Sequence, residues 1–518
     1  MKSLTVACFS STLQLLRIGK LLGLLGCCLL LLGQGAYGAD GTWVANPVDN
    51  NWNNPANWSS GTVPGVFDTA FFAGSNTTNI NITQGTALEN IMFNSGAGAF
   101  TITALPSVGV GFGLGIENDS SVEQNFVAAT DDSNSGGFSF NQEVDNVTIT
   151  GPVTFTQQAQ NTATGNAGFV NFFFAGAGDA TFHDLGASVA GGFGGRTDFY
   201  YTGASAENCA IINDGGTAAG AIGGGTSFSQ QKPSVGNATL IANSGTNGGG
   251  GGFFDLVDGS LGGTARLEVF GNGYMDMSAH TGPSLSIGSI EGDGQIYLGK
   301  SPLMVGTNKL STIFSGVLHP GDPSGGSGTG ALIKTGSGTL TLTGANLYTA
   351  GTTVSAGTLV VSNKTGSGTG TGAVSVNAGT LGGSGIISGV LTIGVGAFLA
   401  PAHGTKAQAT LTIQSSLTFN ADSTYTYTFK AKKKKAKTDK VIANGVMING
   451  ATVVLQGTTQ GSLTRGAIYT LISNTATTPI AGAFSNLPDG AIVSVNGNNL
   501  QASYEGGDGN DLTLTVVP

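Results

Sequence analysis

Residues 330–361 of the chain read GALIKTGSGTLTLTGANLYTAGTTVSAGTLVV. Threonine and leucine alternate in short runs, and a glycine-containing corner follows each run. Alternation with a period of two is typical of a β-strand, and glycine supplies the positive φ that a sharp corner needs. The tripeptide Gly-Thr-Leu occurs at 338–340, 357–359 and 379–381, so its copies follow one another closely and at slightly unequal intervals. The stretch therefore predicts short strands that stack as coils of a β-solenoid.

A longer repeat lies upstream of this stretch. Ala180, Cys209 and Ala238 follow one another at intervals of 29 residues, and Phe199 and Phe228 keep the same interval. A period in the high twenties suits one coil of a parallel solenoid, because stacking at the inter-strand spacing buries the apolar face that a single coil exposes. We expect Cys209 to be a small buried residue and not a nucleophile, since the neighbouring coils carry alanine there.

Composition separates the chain from disordered and nucleic-acid-binding proteins. Glycine accounts for 88 of 518 residues and charged residues for 9%, but the hydrophobic fraction is 40% and alternates regularly. Such alternation favours an ordered all-β protein over a flexible linker. The chain contains 19 basic and 29 acidic residues, a net charge of −10. An acidic protein is repelled by nucleic acid and by anionic membranes.

The first 38 residues are predicted to be a signal peptide. Lys2, Arg17 and Lys20 precede an apolar core at 21–32, and we expect cleavage near Gly38-Ala39. Cys27 offers a lipoprotein signal as a weaker alternative. Cleavage leaves Cys209 as the single cysteine, which excludes an internal disulfide, and changes the net charge to 16 − 29 = −13. No later segment is predicted to cross a membrane.

Three features depart from the repeat pattern. The three tryptophans, Trp43, Trp52 and Trp58, are predicted to plug the open end of the solenoid, with a carbohydrate-stacking platform as the alternative. The apolar run from Phe169 to Phe174 is predicted to be fully buried. Seven lysines crowd into 430–440, which we interpret as a solvated loop between two strands; the alternative is a surface that binds anionic polysaccharide, lipid headgroups or nucleic acid.

No catalytic or cofactor-binding residue is identified by the sequence. Residues 294–301 satisfy the P-loop expression, but strand-forming residues fill and follow the loop, so we interpret the match as a coincidence. Asp508 and Asp511 are weak candidates for a calcium site, and a hairpin turn is the preferred interpretation. His183, His280, His319 and His403 are scattered. Three carboxylates are able to meet on adjacent coils of a solenoid, namely Asp179, Asp184 and Asp198.

The stretch at 330–361 resembles the autotransporter-associated β-strand repeat, through residues 334–346, 351–354 and 356–359. The segments at 52–64 and 506–511 are also similar to large bacterial surface proteins that carry this repeat. The resemblance implies a right-handed parallel β-helix, elongated, with capping strands at its ends, exported from a Gram-negative-type cell. It brings no catalytic residues. Because the sequence stops at Pro518 without a translocator barrel, we expect neither self-translocation nor covalent anchoring.

These observations lead to one organisation and one functional expectation. The expected segments are a signal peptide (1–38), a Trp-rich cap with the first strands (39–105), a solenoid whose coil lengths lie in the high twenties (106–328), the repeat region (329–429), and a lysine-rich loop with C-terminal strands (430–518). We expect a monomeric, non-enzymatic, secreted or cell-surface protein of adhesion or envelope structure. Its partners would be extracellular polysaccharide or cell-envelope components, without nucleic acid. The alternative is a polysaccharide-processing lyase or hydrolase on the same scaffold.

Overall fold

The computed structural model describes residues 39–141, 148–163, 165–403, 407–432 and 435–518. The predicted signal peptide lies outside the described residues. Residues 39–518 form a single compact unit. Within its described part, one 3-10 turn at Pro55–Asn57 is the sole helical element and all other elements are strands. The predicted all-β class is therefore confirmed. None of the described helices is long and apolar enough to cross a membrane.

Four long sheets run along the stack of coils, and we call each of them a ladder. In the first, ladder A, each strand pairs in parallel with the strand of the next coil. A side strand, Thr148–Thr150, also pairs with the fourth member. The members of ladder A are, in spatial order, Gly41–Thr42, Thr69–Phe72, Thr86–Phe93, Gly109–Asn118, Gly137–Asn141, Phe169–Phe173, Arg196–Tyr200, Gly225–Ser229, Phe253–Leu256, Tyr274–Asp276, Gln295–Tyr297 and Val317–His319.

Ladder B lies on a second side of the coil and is also parallel from member to member. Its members are Asn79–Ile82, Thr101–Ala104, Gln124–Ala128, Val153–Gln157, Thr181–Asp184, Ala210–Asn213, Thr239–Ala242, Arg266–Val269, Ser289–Gly292, Thr312–Phe314, Thr339–Leu342, Thr358–Val361, Thr380–Gly383, Phe398–Leu399, Thr424–Lys432 and Thr452–Gln460. A two-strand pair, Ser234–Gly236 with Leu261–Gly263, supplements the middle coils.

Two further ladders serve the C-terminal coils. Ladder C is parallel and consists of Leu285–Ile287, Pro302–Val305, Ala331–Lys334, Thr352–Val354, Val374–Val376, Leu391–Ile393, Leu417–Phe419, Val446–Asn449 and Ala481–Ala483. Ladder D begins in parallel and ends in antiparallel strands; it consists of Ile386–Ile387, Thr410–Ile413, Lys440–Ala443, Ile468–Asn474, Asp511–Val517, Asn498–Gly506 and Ile492–Val495.

The strand register confirms both repeats. In ladder B, Thr181 pairs with Ala210 and Ala210 pairs with Thr239, two equal steps that match the longer repeat. In the 330–361 stretch, Thr339 pairs with Thr358, a shorter step that matches the spacing of the first two Gly-Thr-Leu copies. In most strands, inward residues at every second position fill one continuous apolar core. The predicted parallel β-helix is thus confirmed, and stacking of coils is what buries its apolar face.

The N-terminal end of the core is closed by the three indoles. Trp43, Trp52 and Trp58 are each at most 2% exposed and pack around Phe72. The indole nitrogen of Trp58 donates to the carbonyl oxygen of Trp52 over 2.7 Å. Rings that are buried on all sides offer no face to a sugar. The plug interpretation therefore holds, and the alternative of a stacking platform is wrong.

The lysine tract is a strand pair and not the predicted loop. Thr424–Lys432 runs antiparallel to Lys435–Thr438, and Lys433 and Lys434 between them lie outside the described residues. The period-two pattern explains the correction, because Phe429 and Ala431 point inward while Lys430 and Lys432 continue the outward positions. Lysine occupies exposed positions of a strand without interrupting its ladder.

Candidate functional site

The three carboxylates proposed to meet do not form one site. Asp184 is fully buried, and its carboxyl accepts hydrogen bonds from the hydroxyls of Thr197 and Thr226 at 3.0 and 3.2 Å. Burial raises the pKa of Asp184 well above its ordinary value. Asp179 is exposed and accepts a hydrogen bond from Asn208 on the next coil. Asp198 lies on ladder A, where its partner is a neighbouring arginine.

The run from Phe169 to Phe174 is not fully buried, which corrects the prediction. Val170 and Phe172 point inward, whereas Phe173 is half-buried on the outer side and Phe174 is 39% exposed. The run is apolar on both faces of one strand, a pattern that normally indicates burial on both sides. Here the outer aromatics instead begin a surface that continues over the following coils.

This surface is the outer side of ladder A from Phe169 to His319, and we call it the aromatic–carboxylate face. Parallel register aligns its side chains in columns that run across the coils, one residue per coil. One column consists of Phe169, Arg196, Gly225, Phe253, Tyr274, Gln295 and Val317. Its neighbour consists of Asn171, Asp198, Ser227, Asp255, Asp276, Tyr297 and His319.

Gly225 makes room for the central aromatic ring of the face. A Cβ atom at this position would lie 2.3 Å from Cζ of Phe253, so the ring occupies the space of the missing side chain. The guanidinium carbon of Arg196, two coils away from Phe253, lies 5.2 Å from the centre of that ring. The ring of Tyr274 stacks with Phe253 on the next coil, with 5.4 Å between centroids. A cation therefore already rests against an aromatic ring within this face.

The carboxylates of the face differ in their partners. Asp198 accepts a hydrogen bond from Nη2 of Arg196 at 2.9 Å. Asp276 accepts one from the backbone nitrogen of Ser278 at 2.8 Å. Asp255 pairs in register with Asp276 and has no hydrogen-bond donor among the described residues. Parallel neighbours are about 4.8 Å apart, so the two aspartates occupy adjacent positions of the column, close enough for Asp276 to raise the pKa of Asp255.

Burial and nearby charges shift the pKa of both carboxyl groups. Burial raises the pKa of Asp255 to about 6, and Asp276 and Asp198 add to this effect against the opposing charge of Arg196. Burial also raises the pKa of Asp276, although its bonds from Ser278 lower it. A carboxyl group that titrates near neutral pH next to another one is able to exchange protons with a bound ligand.

The C-terminal part of the face adds aromatic hydroxyl and imidazole groups. The rings of Tyr297 and His319 stack with centroids 4.6 Å apart, and Nε2 of His319 lies 2.7 Å from Oε1 of Gln295. The hydroxyls of Tyr274 and Tyr297 have no hydrogen-bond partner in the part of the chain that the structure describes. They remain available to a polar ligand.

The other residues singled out by the sequence lie away from this face. Cys209 is fully buried, burial raises its pKa well above the ordinary value, and it fills the column between Ala180 and Ala238, as predicted. His280 is buried against the carbonyl oxygen of Ser260. His183 binds Asp214 on the following coil at 2.6 Å. His403 contacts Thr358 at 3.4 Å.

The P-loop match and the calcium candidates occupy strands and turns. Residues 294–301 span the strand Gln295–Tyr297 and lead directly into Pro302–Val305, which leaves no loop-to-helix junction for a phosphate. Asp508 and Asp511 lie at a hairpin turn, where Asp511 accepts a hydrogen bond from the nitrogen of Asn474 at 2.9 Å. Among the described residues, no three His, Cys, Asp or Glu side chains converge as metal ligands do.

The face was missed because its residues are far apart in the sequence. Asp198, Asp255 and Asp276 become neighbours only once the coil lengths are known, and those lengths vary from coil to coil. The sequence interval that aligns Phe199 with Phe228 could have revealed part of this face. The same step aligns Arg196 with Gly225, the position that accommodates the ring of Phe253.

Parts of the chain are similar to known proteins. Residues 332–361 match the passenger-associated transport repeat. The extracellular serine protease of Serratia marcescens is 31% identical over 170 residues, which is 31% of this chain and 15% of that protein. The crystal structure of the Haemophilus influenzae Hap adhesin aligns with 88% of this chain and 64% of its own, at 10% identity and a TM-score of 0.26.

The matched repeat coincides with residues 330–361, the stretch of alternating threonine and leucine. It contains the strands Thr339–Leu342, Thr352–Val354 and Thr358–Val361, and it begins inside Ala331–Lys334. The chain spans 15% of the length of the curated relative, so nothing of that relative's activity is transferred. The predicted resemblance is confirmed over residues 332–361, which carry a passenger-associated transport repeat, a repeat of secreted and cell-surface autotransporter passengers.

Proposed function

We propose that the chain is a non-enzymatic adhesion or envelope protein that binds an extracellular polysaccharide or another envelope component through the aromatic–carboxylate face. The observation that carries this proposal is the alignment of half-buried aromatic rings and carboxylates in columns on the outer side of the solenoid. Aromatic side chains with polar tips are the common anchors of binding surfaces, because they combine large apolar area with hydrogen bonding.

The core explains why a solenoid suits this role. Most of its inward positions hold stacked apolar residues, so the outer positions of each strand are free to vary without loss of the fold. A surface built from strands is also rigid, which reduces the entropy lost when an extended ligand binds. The passenger repeat supports delivery of such a surface to the cell exterior.

A glycan array and a cell-attachment assay test the proposal with the purified protein. We expect retention of one class of polysaccharide or of envelope-bearing cells, and loss of retention in Tyr274→Ala. Glu505→Gln, on the exposed side of a ladder D strand, is the control that leaves retention unchanged. Absence of binding to every glycan and every cell surface would contradict the proposal.

Polysaccharide processing is a second candidate, and one pair of residues favours it. Asp255 and Asp276 occupy neighbouring coils, and burial raises the pKa of Asp255 to about 6. One protonated and one ionised carboxyl group are the minimum for glycoside hydrolysis. The test is the release of reducing ends from a bound polysaccharide. Release that is abolished in both Asp255→Asn and Asp276→Asn would establish the enzyme, and intact polysaccharide would support binding alone.

A further inference from the structure

We infer that the aromatic–carboxylate face binds an oligosaccharide whose sugars carry amino groups in the cationic form. This inference rests on the proposed function and narrows it to one ligand chemistry. It follows from the charge of the face, from an unpartnered carboxylate and from the way in which the face already holds a cation.

The charge of the face is the first argument. It contains one guanidinium, that of Arg196, and three carboxylates, those of Asp198, Asp255 and Asp276. Asp322 lies close enough to raise the pKa of Asp276 further. Arg196 is already engaged with Asp198 at 2.9 Å. The remaining charge is therefore negative, which repels uronic acids and attracts ammonium groups.

The unpartnered carboxylate is the second argument. Asp255 is half-buried, and no donor among the described residues reaches it, although a buried polar group without a partner costs free energy. An ammonium group at this position would supply both the missing donors and the opposite charge. The neighbouring Asp276 extends the same attraction over the next coil.

The aromatic rings are the third argument. Arg196 rests on the ring of Phe253 at 5.2 Å, which is the geometry of a cation–π contact. The rings of Tyr274 and Tyr297 continue the surface and lie at 87° to each other. Sugar rings present apolar C–H faces that pack on aromatic rings, and their hydroxyls match the hydroxyls of Tyr274 and Tyr297. An amino sugar satisfies rings, hydroxyls and carboxylates at once.

The repetition of the face favours a polymer over a single sugar. The columns place a new side chain every coil, at the inter-strand spacing of about 4.8 Å. A chain of several sugars that crosses the coils therefore meets Phe253 and Tyr274 in one column and Tyr297 in the neighbouring column, one on each successive coil. Several weak contacts along one rigid surface then add to a measurable affinity.

The experiment compares three hexasaccharides that differ in charge by isothermal titration calorimetry at pH 6 and low salt. The probes are hexamers of glucosamine, of N-acetylglucosamine and of galacturonate. We expect the glucosamine hexamer to bind at least tenfold more tightly than the N-acetylated one, and the galacturonate hexamer not to bind. The glucosamine affinity should fall as salt rises, because exposed charges are screened.

Variants locate the binding on the face. Asp255→Asn should reduce the glucosamine affinity at least tenfold and reduce the selectivity over the N-acetylated hexamer. Tyr274→Ala should weaken both of these ligands. Glu505→Gln, which also removes one carboxylate but lies in ladder D, should change neither. Circular dichroism and thermal unfolding establish that each variant is folded.

Each other outcome overturns the inference. The inference fails if the galacturonate hexamer binds as tightly as the glucosamine hexamer or more tightly, or if the glucosamine hexamer does not bind. It also fails if Asp255→Asn leaves the glucosamine affinity unchanged. A hexalysine peptide that binds equally tightly and responds equally to the variants would overturn it as well. These results leave the proposed function standing if another glycan or a cell surface is still retained. If nothing is retained in any assay, the proposed function fails as well.

Discussion

The rings of Phe199 and Phe228 stack on adjacent coils with their centroids 4.6 Å apart and their planes inclined by only 2°. Phe172 stacks on the other side of Phe199 at 4.8 Å. Replacement of Phe199 by alanine removes both contacts and leaves a cavity in a core that is continuous along the solenoid. We expect a loss of about 3–5 kcal/mol in the free energy of unfolding, measured by urea denaturation.

Phe67→Ala is the matched control for this substitution, because Phe67 is 77% exposed. Its effect should stay within about 0.5 kcal/mol. Equal effects of the two substitutions would mean that the phenylalanine column does not stabilise the fold.

A column of glycines forms one corner of the middle coils. A Cβ atom at Gly223 would lie 2.2 Å from the carbonyl oxygen of Gly251, and one at Gly194 would lie 2.2 Å from that of Gly223. We expect Gly223→Ala to destabilise the protein by about 1–3 kcal/mol through this overlap. Gly74→Ala is the control, since its Cβ atom would meet nothing within 4 Å. Indistinguishable urea midpoints for the two variants would refute the close approach.

The raised pKa of Asp255 links stability to pH. Its pKa is about 6 in the folded protein, against an ordinary value of 3.8. The folded state therefore binds the proton more tightly, and this stabilisation is complete below pH 3.8 and is lost as the pH rises through 6. We expect the wild type to lose about 2–3 kcal/mol in the free energy of unfolding, relative to Asp255→Asn, between pH 4 and pH 7. Parallel stability curves for the two proteins would exclude this linkage.

The contact between His183 and Asp214 predicts a shifted histidine titration. The hydrogen bond with Asp214 raises the pKa of His183 above 6.5; burial alone would raise the pKa of Asp214, but bonds from His183 and Asn243 lower it. The contribution of this pair to stability is largest between about pH 4 and 6.5. It is lost at higher pH because the imidazolium deprotonates, and it is lost at lower pH because the carboxylate is protonated.

Titration of the imidazole protons by NMR measures this effect directly. We expect Asp214→Asn to lower the pKa of His183, because the largest cause of its rise is removed. His319, whose pKa burial lowers, is the internal reference and should not move. A value for His183 below 6.5 in the wild type would contradict the contact.

Like charges face each other in the lysine hairpin. Lys430 pairs directly with Lys437 across two antiparallel strands. Opposite charges at such positions stabilise a sheet and like charges destabilise it. We expect Lys437→Glu to raise the free energy of unfolding by about 0.2–1 kcal/mol at low salt, which thermal unfolding registers as a slightly higher melting temperature. Added salt should shrink this gain. The double variant Lys430→Glu with Lys437→Glu should lose the gain again; if it is as stable as the single variant, charge pairing is not the cause.

Much of the scaffold was predictable because its signals are local. Alternation and glycine corners identify strands and turns, and the regular interval alone placed Cys209 between two alanines. The tryptophan plug was predictable because an open solenoid end requires one. These inferences depend on residues that are near in sequence or equally spaced.

The candidate site was not predictable to the same degree. Asp255 and Asp276 are adjacent in space because the coil that joins them is shorter than the preceding coil, from Ser227 to Asp255. Corners of irregular length break the numerical pattern by which coils are recognised in a sequence. The direction of Phe173 was equally hidden, since an apolar side chain on the outer side of a strand looks the same in the sequence as one in the core.

The change from parallel to antiparallel pairing at the end of ladder D has a consequence for self-association. In a parallel stack, every coil is a template on which a further coil, from this chain or from another copy, is able to add. The strands Asp511–Val517 and Asn498–Gly506 reverse that direction, and the tryptophan plug occupies the opposite end. The end of ladder D therefore does not offer the parallel edge on which a coil of a second copy would continue the stack.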